Sequence, residues 1–298
     1  MVSGNDLALD YNMLKIMVFG ANGQIGRSLL TLAGSDLEVI ALGRKEADLS
    51  DPQQCADHIR RTDVDAVINA AAYTDVNAAE NDEALVSQIN GFAPGAMARA
   101  CEEKDLPFLQ ISTDYVFDGS GTTPFAPEAS PNPINAYGRS KKMGEDLVRA
   151  AKGKNAILRT SWVFSEHGTN FVKTMLRLAE KQRSLSIVGD QMGGPTPAIE
   201  VADALVAMAR AMASGHPGGT YHFAGQPMVS WAEFARAVFL QARKHVDITM
   251  IASADFPSAA RRPLNSRLDC ASFIKDFGRP LPDWRLDLKR VIKVLQRG

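Results

Sequence analysis

The stretch Lys15-Ile16-Met17-Val18-Phe19-Gly20-Ala21-Asn22-Gly23-Gln24-Ile25-Gly26 decides the fold predicted for this chain. Four of its first five residues, Ile16 to Phe19, are apolar, so 15–19 predict a buried parallel strand, and a helix is predicted from 24 to 32. Between them, the glycines let the backbone turn tightly and approach a pyrophosphate at the positive end of the helix. A strand before and a helix after favour a dinucleotide site over an ordinary strand–helix turn. The residues predicted to contact the dinucleotide are Gly20, Gly23, Gln24, Ile25 and Gly26.

The rest of the first half alternates between strand and helix patterns. Further strands are predicted at 38–42, 66–69, 107–112 and 156–159, and further helices at 52–61, 84–104 and 136–151. This alternation predicts an α/β fold, a Rossmann-like doubly wound parallel sheet covered by helices on both faces. Ligands of such sheets bind beyond the carboxyl ends of the strands. We therefore expect the functional residues at those ends.

The second half has a different pattern, with helices predicted at 170–181, 199–212 and 230–245 and short strands at 185–188 and 219–223. We predict that 14–165 form the dinucleotide-binding domain. Residues 166–298 are expected to form mainly a smaller, discontinuous α/β substrate-binding domain, with a segment at about 185–215 packing back on the first. Residues 1–13 are predicted to be a disordered extension or one introduced in cloning, because they lack the basic start and apolar core of a signal peptide.

The composition excludes several classes of protein. The net charge is −1, so no bulk field attracts nucleic acid or an acidic membrane, and no apolar run reaches membrane-spanning length. The three cysteines, Cys55, Cys101 and Cys270, are scattered and odd in number. This predicts a reduced, cytoplasmic protein without a disulfide framework or zinc spacing.

Tyr137 and Lys141 form the second informative pattern. Residues four apart on a helix share a face, so their side chains can share a site. A free tyrosine has a pKa near ~10, and a nearby ammonium is expected to lower that pKa toward a catalytic range. The pair recurs by chance on solvated helices, and its weight comes from the glycine loop upstream.

The spacing GxxGxxG followed by YxxxK resembles the extended branch of the short-chain dehydrogenase/reductase superfamily. Longer segments resemble one family within it, the dTDP-4-dehydrorhamnose reductases, and this likeness runs from about Leu14 to the C-terminus. The most specific segments read STDYVFDG at 112–119, RTSWVF at 159–164 and RRPLNSRL at 261–268. Others read NAAAYT at 69–74, NFVKTML at 170–176, GDQMG at 189–193 and PDW at 282–284.

The resemblance implies reduction of the 4-keto group of dTDP-4-dehydro-6-deoxy-L-mannose (dTDP-4-dehydrorhamnose) to give dTDP-L-rhamnose. In that reaction Tyr137 would give a proton to the carbonyl oxygen as hydride arrives from a nicotinamide. Lys141 would hold the cofactor ribose, and Thr113 would donate a hydrogen bond to the same oxygen; a strand-end threonine that caps backbone is the alternative. Asn90 matches the position that supports a water molecule near the lysine.

Substrate-binding residues are also implied by the resemblance. Trp162 would offer a flat apolar wall, although a core tryptophan is the alternative. Asp114 would bind substrate hydroxyls, and Arg262 would form a two-pronged contact with the diphosphate, with Arg261 and Arg267 as competitors for that role. Asn265 belongs to the same segment and is included among the predicted substrate contacts.

The cofactor prediction is NADPH, with NADH left open. Many NAD-dependent relatives carry an acidic residue at the end of the second strand, whereas this chain has Gly43 and Arg44, and an arginine can pair with a 2′-phosphate. Asp48 and Leu49 are expected to hold the adenine edge. The strand-end residues predicted to border the cofactor are Ala72, Tyr73 and Thr74.

Some relatives are metal-bridged dimers, but Ser28 stands about where one glutamate ligand is expected, so we predict no metal site; a homodimer is left open. Two other functions also stay open. One is a reductase or epimerase of a different nucleotide sugar, and the other is a non-catalytic cofactor-binding regulatory subunit, because fold likeness does not prove catalysis. Retention of Thr113, Tyr137 and Lys141 favours an enzyme.

Overall fold

The structure is a computed structural model that describes residues 13–297, so the extension predicted at the N-terminus lies, apart from Met13, outside the described residues. The strands are β1 (Leu14–Phe19), β2 (Leu37–Leu42), β3 (Ala66–Asn69), β4 (Phe108–Thr113), β5 (Asn155–Thr160), β6 (Val163–Phe164), β7 (Ser184–Val188), β8 (Met192–Gly193), β9 (Thr196–Pro197), β10 (Gly219–His222), β11 (Val229–Ser230), β12 (Asp247–Ile251) and β13 (Asn265–Ser266). The α-helices are α1 (Gln24–Thr31), α2 (Pro52–Arg61), α3 (Glu83–Ser87), α4 (Ala93–Glu103), α5 (Ala136–Ala150), α6 (Phe171–Ala179), α7 (Ala198–Ala213), α8 (Trp231–Ala242), α9 (Ala271–Phe277) and α10 (Trp284–Leu295).

A six-stranded sheet in the order β10-β5-β4-β3-β1-β2 forms the centre of the molecule. All of its pairings are parallel, and its strands are largely buried because helices cover both faces. Helices α1 and α7 pack on one face, and α2, α4 and α5 on the other. The order reverses between β1 and β3, which is where ligands bind in doubly wound sheets. The predicted fold class is confirmed.

The predicted helix at 84–104 is interrupted, and the sequence shows why. Helix α3 is followed by a π-helical turn at Gln88–Phe92 before α4 begins. Pro94 has no N–H to donate to the carbonyl of Asn90, four residues earlier, so the regular hydrogen bond is missing there. That carbonyl lies only 2.1 Å from where a Cβ of Gly144 would stand, so α5 can pack this closely only with glycine there.

The second half builds smaller sheets around a separate apolar core. Its pairings are β11-β8-β13, β12-β7 and β6-β9, and its core lies among α6, α8 and α10. The segment predicted at 185–215 to pack back on the first domain contains elements with different neighbours. Strand β7 pairs with β12 and contacts α8, whereas α7 contacts α1. Strand β10 also returns and pairs with β5.

A buried ion pair holds α5 to the sheet. Arg159 on β5 donates from Nε and Nη2 to the two carboxylate oxygens of Glu145, at 2.8 and 2.7 Å, and the side chains are only 1% and 0% exposed. The remaining Nη1 donates to the carbonyl of Pro127 at 3.0 Å and to His222 Nε2 at 3.2 Å.

The contact with Arg159 fixes the state of His222. Because the guanidinium can only donate, Nε2 must accept, and Nδ1 then donates to the carbonyl of Phe125 at 3.1 Å. Burial and the Arg159 charge lower the pKa of His222 to about 3, so the ring is neutral. The network therefore joins α5, β5, β10 and the loop after β4.

We predict that Glu145→Gln lowers the free energy of unfolding by about 3–5 kcal/mol, because it leaves the Arg159 charge buried without its partner. Urea unfolding followed by tryptophan fluorescence measures this. Glu83→Gln is a matched control, because Arg139 makes the same two-pronged contact with Glu83, at 2.7 and 2.9 Å, with side chains 45% and 47% exposed. Its loss should stay below about 1 kcal/mol. Equal losses in both variants would contradict this account of the buried pair.

Candidate active site

A cleft of about 840 Å³ lies at the carboxyl ends of β1, β3, β4 and β5, within the size range of small-molecule sites. It brings together residues that are far apart in sequence. Of the residues predicted to be functional, those that border it are Gly20, Gly23, Gln24, Ile25, Arg44, Asp48, Leu49, Ala72, Tyr73, Thr74, Thr113, Asp114, Tyr137, Lys141 and Trp162. Gly26, Asn90, Arg262 and Asn265 do not border it.

The glycine loop approaches its neighbours too closely for side chains. Gly20 has a φ of +96°, and a Cβ there would stand 2.8 Å from the backbone nitrogen of Ala71. A Cβ on Gly26 would stand 2.1 Å from the carbonyl oxygen of Gly20, so Gly26 brings α1 against the turn without touching the cleft. Gly23, Gln24 and Ile25 at the start of α1 border the cleft, and the N–H groups at the start of a helix are suited to hold a pyrophosphate.

The side chain of Gln24 is occupied by the protein. Its Nε2 donates to the carbonyl of Val163 at 3.2 Å, and its Oε1 accepts from Ser165 Oγ and Asn170 Nδ2, both at 2.9 Å. This contact brings Gly168, Thr169 and Asn170 to the rim of the cleft, where sequence reasoning did not place them. Gln24 can contribute its backbone N–H to a ligand, but its amide links the glycine loop to the second half of the chain.

Arg44 stands at the rim beyond β2 with its side chain 74% exposed, and its Nε lies 3.5 Å from Asp48 Oδ2. Hydrogen bonds from Ser50, above all from its backbone N–H, hold the pKa of Asp48 below its usual value; burial opposes them, and the Arg44 charge lowers the pKa further by a smaller amount. Glu46 is the nearby acid, but its carboxylate accepts from the N–H of Gly43 at 3.0 Å and does not border the cleft. The end of β2 therefore presents a cation.

Tyr137 and Lys141 lie one turn apart near the start of α5, where Asn135 caps the helix by accepting from Gly138 N at 2.7 Å. The ammonium of Lys141 is buried and donates to the carbonyl of Ile111 at 2.7 Å. Burial lowers the pKa of Lys141 to about 8, while the Glu145 charge opposes the shift. The Tyr137 hydroxyl faces Thr113.

The expected net lowering of the Tyr137 pKa is wrong for this structure. Burial raises the pKa of Tyr137 well above its usual value, and the Thr113 hydroxyl only partly opposes the shift. Desolvation disfavours the phenolate, and the ammonium of Lys141 is directed to the Ile111 carbonyl. Tyr137 is therefore a neutral phenol that carries a proton, as a proton donor must.

The side chain of Asn90 bonds to protein groups at the rim of the cleft. Its Oδ1 accepts from the N–H of Tyr73 at 2.8 Å, and its Nδ2 donates to the Tyr73 carbonyl and to Ser140 Oγ, both at 3.0 Å. Through these bonds Asn90 fixes the Tyr73 backbone and joins it to α5.

Thr113 is the last residue of β4, and Asp114 begins the 3₁₀ turn that follows. Thr113 Oγ1 donates to Asp114 Oδ1 at 3.0 Å and accepts from the N–H of Tyr115 at 3.2 Å. The other oxygen of Asp114, Oδ2, and Thr160 Oγ1 are buried and have no hydrogen-bond partner within residues 13–297. Burial raises the pKa of Asp114 to about 6. Unpartnered polar atoms beside a cleft are the arrangement that a hydrogen-bonding ligand completes.

Trp162, half-buried just beyond β5, borders the cleft and stacks on Trp231. Arg262 is bonded elsewhere: its Nη1 contacts Ser258 Oγ, and its Nη2 donates to Asn77 Oδ1 at 3.3 Å. It also lies beside Tyr115, whose ring packs edge-to-face on Tyr137 with centroids 5.8 Å apart. The predicted diphosphate contact would need this side chain to change partners.

Asn265, predicted to contact the substrate, does not border the cleft and bonds to protein groups. It is buried on β13, and its Nδ2 donates to the carbonyl of Thr123 at 2.8 Å, while its Oδ1 accepts from Arg267 Nη1 at 3.1 Å. These bonds brace the loop after β4.

In residues 13–297, no three His, Cys, Asp or Glu side chains group closely enough to hold a metal ion. In the same residues, no helix is long and apolar enough to span a membrane.

Comparisons with known proteins cover nearly the whole chain. The family model for the RmlD substrate binding domain matches residues 14–297. A dTDP-4-dehydrorhamnose reductase of Sinorhizobium fredii is 39% identical over 289 residues, covering 95% of this chain and 98% of that protein.

Two solved structures are similar over the same extent. A dTDP-4-dehydrorhamnose reductase of Clostridium acetobutylicum superposes with a TM-score of 0.89 at 34% identity, covering 95% of this chain and 100% of the other. The Bacillus anthracis enzyme in complex with NADP gives a TM-score of 0.87 at 31% identity, covering 95% and 99%. The segments quoted from the sequence and these matches agree: the chain belongs to the RmlD substrate-binding-domain family, the dTDP-4-dehydrorhamnose reductases.

Proposed function

We propose that this protein reduces the 4-keto group of dTDP-4-dehydrorhamnose to give dTDP-L-rhamnose, with NADPH as the reductant. The observation that carries the proposal is the meeting of Thr113, Tyr137 and Lys141 at one end of a cleft whose other end is the glycine loop. The family and its NADP-bound member from Bacillus anthracis support the substrate and the cofactor.

Tyr137 is the proton donor in this proposal. When bound, NADPH supplies the hydride that reduces the carbonyl carbon. The oxygen of that carbonyl then gains negative charge, and a neutral phenol beside it can transfer its proton. Because burial raises the pKa of Tyr137, the proton stays on the phenol until the oxygen becomes the stronger base. Thr113 supplies a second hydroxyl near the same oxygen. To donate to that oxygen, the hydroxyl must rotate so that its proton leaves Asp114 Oδ1.

Lys141 stabilises the phenolate that remains. It lies one turn from Tyr137, and its ammonium is held in the buried base of the cleft by the Ile111 carbonyl. A charge in a site with little water acts more strongly than the same charge in solution. A pKa of about 8 leaves Lys141 mostly protonated at neutral pH, so it can also return a proton to Tyr137.

NADPH would occupy the half of the cleft next to the glycine loop. The backbone N–H groups of that loop would hold its pyrophosphate, Asp48 and Leu49 would border the adenine, and Ala72 to Thr74 would face the segment between them. Arg44 would meet the 2′-phosphate, which would compete with Asp48 for the guanidinium.

The sugar nucleotide lies toward Asp114 and Trp162. In this proposal Asp114 Oδ2 accepts a hydrogen bond from a substrate hydroxyl, and the hydroxyl of Thr160 donates or accepts another. Arg262 is the cation for the diphosphate, and its exposed partners Ser258 and Asn77 are neutral, so they can be exchanged for an anion.

Reduced, buried cysteines support a cytoplasmic location. We also propose a homodimer as the assembly, to be tested by light scattering.

Turnover distinguishes the proposal from its rivals. NADPH oxidation should depend on dTDP-4-dehydrorhamnose, with dTDP-L-rhamnose as the product identified by mass spectrometry and NMR. Activity only with another nucleotide sugar would identify a different reductase or an epimerase. Tight NADPH binding without turnover of any keto sugar would identify a regulatory subunit.

We predict that Tyr137→Phe reduces kcat by about 10²–10⁴-fold, because only the transferable proton is lost. The Kd for NADPH, measured by fluorescence titration, should stay within about threefold, since the ring remains. Tyr221→Phe is the matched control. The Tyr221 hydroxyl donates to Asp276 Oδ2 at a distance of 2.8 Å, and neither residue borders the cleft. A Tyr137→Phe enzyme with normal kcat would remove Tyr137 from the mechanism.

We predict that Arg44→Ala lowers the preference for NADPH over NADH. The contact with the phosphate is exposed, so the loss should be about 1.5–3 kcal/mol, or roughly 10- to 150-fold in the ratio of kcat/KM values. Arg61→Ala, which removes an arginine that is also exposed but lies on α2, should leave the ratio unchanged. A wild type that prefers NADH, or an unchanged ratio in Arg44→Ala, would rule out this reading of β2.

We predict that Arg262→Ala raises the KM for the sugar nucleotide about tenfold or more, equivalent to roughly 1.4 kcal/mol, without changing the KM for NADPH. Arg262→Lys should recover only part of the loss, because an ammonium cannot make a two-pronged contact. An effect confined to Arg261→Ala or Arg267→Ala would move the diphosphate site to that residue. No effect in any of the three variants would argue against a nucleotide-sugar substrate.

A further inference from the structure

Trp162 has a backbone conformation that its side chain disfavours. Its φ is +49°, in the left-handed region, which costs a bulky residue about 1–3 kcal/mol and persists only where the surroundings hold it. The strain lies at the wall of the cleft, between β5 and β6. The contacts that hold Trp162 are therefore the ones that shape this wall.

Those contacts come from the second half of the chain. The Trp162 indole stacks on the indole of Trp231, with ring centroids 3.5 Å apart and planes at 11°. Gly193 lies against the same ring, and a Cβ there would come within 2.7 Å of it, so only glycine fits without displacing the indole. The Trp162 carbonyl accepts from the N–H of Thr196 at 3.2 Å.

Trp231 is itself held in place by hydrogen bonds. Its Nε1 donates to Gln191 Oε1 at 3.1 Å, and Gln191 Nε2 donates to Ser253 Oγ at 2.9 Å. Ser253 in turn donates to Asp190 from its N–H at 2.9 Å and from its hydroxyl at 2.6 Å. The segment GDQMG at 189–193 thus supplies both the glycine under Trp162 and the chain of bonds to Trp231.

We propose that Trp231 is a positioning residue for the sugar nucleotide. It acts through Trp162, whose indole it holds in the strained position that forms the wall of the cleft, and the segment 190–193 fixes the pair. Trp231 is not among the residues that border the cleft, whereas Trp162, on which it stacks, is. The inference rests on the proposed function, because it assigns the Trp162 wall to the dTDP-sugar.

The stack can be tested without substrate. Two indoles this close and nearly parallel couple their transitions and give an exciton couplet in the circular dichroism spectrum. Trp231→Phe and Trp162→Phe should each abolish the couplet, while Trp284→Phe should retain it, because the Trp284 ring packs on Phe234 at 5.2 Å and not on the pair. A couplet that survives in Trp231→Phe would overturn the proposed stack.

The role in binding is tested by a double-mutant cycle. We expect Trp231→Leu to raise the KM for dTDP-4-dehydrorhamnose, and the Kd for dTDP-L-rhamnose by calorimetry, about three- to tenfold. The kcat and the KM for NADPH should change less than about twofold, a split that a general loss of structure would not give. Combining Trp231→Leu with Trp162→Leu should be no worse than Trp162→Leu alone, because one residue acts through the other.

The controls separate this inference from the proposed function. Leu240→Ala changes an exposed residue on the same helix α8 and should alter neither constant. Trp231→Phe keeps an aromatic ring and should recover part of the loss. Additive effects in the double mutant, or an unchanged Kd in Trp231→Leu, would overturn the positioning role. A wild type that binds dTDP-L-rhamnose without turning over the keto sugar refutes the proposed function alone, and one that binds no dTDP-L-rhamnose refutes both.

Discussion

The position of α5 depends on the buried contact between Glu145 and Arg159. Removing two charges from water costs several kcal/mol per ion, so the pair is a weak source of net stability. Its value lies in geometry: both oxygens of Glu145 and three nitrogens of Arg159 are satisfied by fixed groups on β5, β10 and the loop after β4. A shift of α5 along the sheet would break several of these bonds together. Tyr137 and Lys141 lie two turns and one turn before Glu145, so the same contact sets their height above the end of β4.

Close packing of backbones is the second constraint on the same helix. A Cβ on Gly144 would stand 2.1 Å from the carbonyl of Asn90, and a Cβ on Gly138 would stand 2.2 Å from that of Tyr115. Helix α5 therefore lies directly against the π-helical turn on one side and the end of β4 on the other. The missing N–H of Pro94 frees the Asn90 carbonyl at this crossing, and the Asn90 side chain ties the neighbouring Tyr73 backbone. An interrupted helix, two glycines and one asparagine thus act together to bring the tyrosine to the cleft.

Local patterns predicted much of this architecture, because strand and helix periods and the glycine loop depend on neighbours in sequence. They located the parallel sheet and the convergence of Thr113, Tyr137 and Lys141 at strand ends and one helix. Pro94 indicated a break in the helix predicted at 84–104, but the helical pattern on both sides of it favoured one continuous helix. Other features depend on segments distant in sequence. They are the hydrogen-bond partners of Asn90 and Asn265, the strand that pairs with β7, and the pKa of Tyr137. No local pattern reports whether an amide finds a backbone partner or how much water a phenol loses, so these features became visible only in three dimensions.

Burial sets the charge of the cleft before any ligand enters. It lowers the pKa of Lys141 to about 8 and raises that of Asp114 to about 6, so both groups shift toward their neutral forms while remaining mostly charged near neutral pH. The same loss of water keeps Tyr137 neutral. A tyrosine with a strongly lowered pKa would be a poor proton donor, because much of it would already be ionised. In the proposed reaction the phenolate forms only when the substrate oxygen takes the proton, and the ammonium of Lys141, one turn away on α5, then interacts with a new anion in a site of low dielectric. The interaction between Tyr137 and Lys141 is thus stronger in the transition state than in the resting enzyme, which is the condition for it to accelerate the reaction.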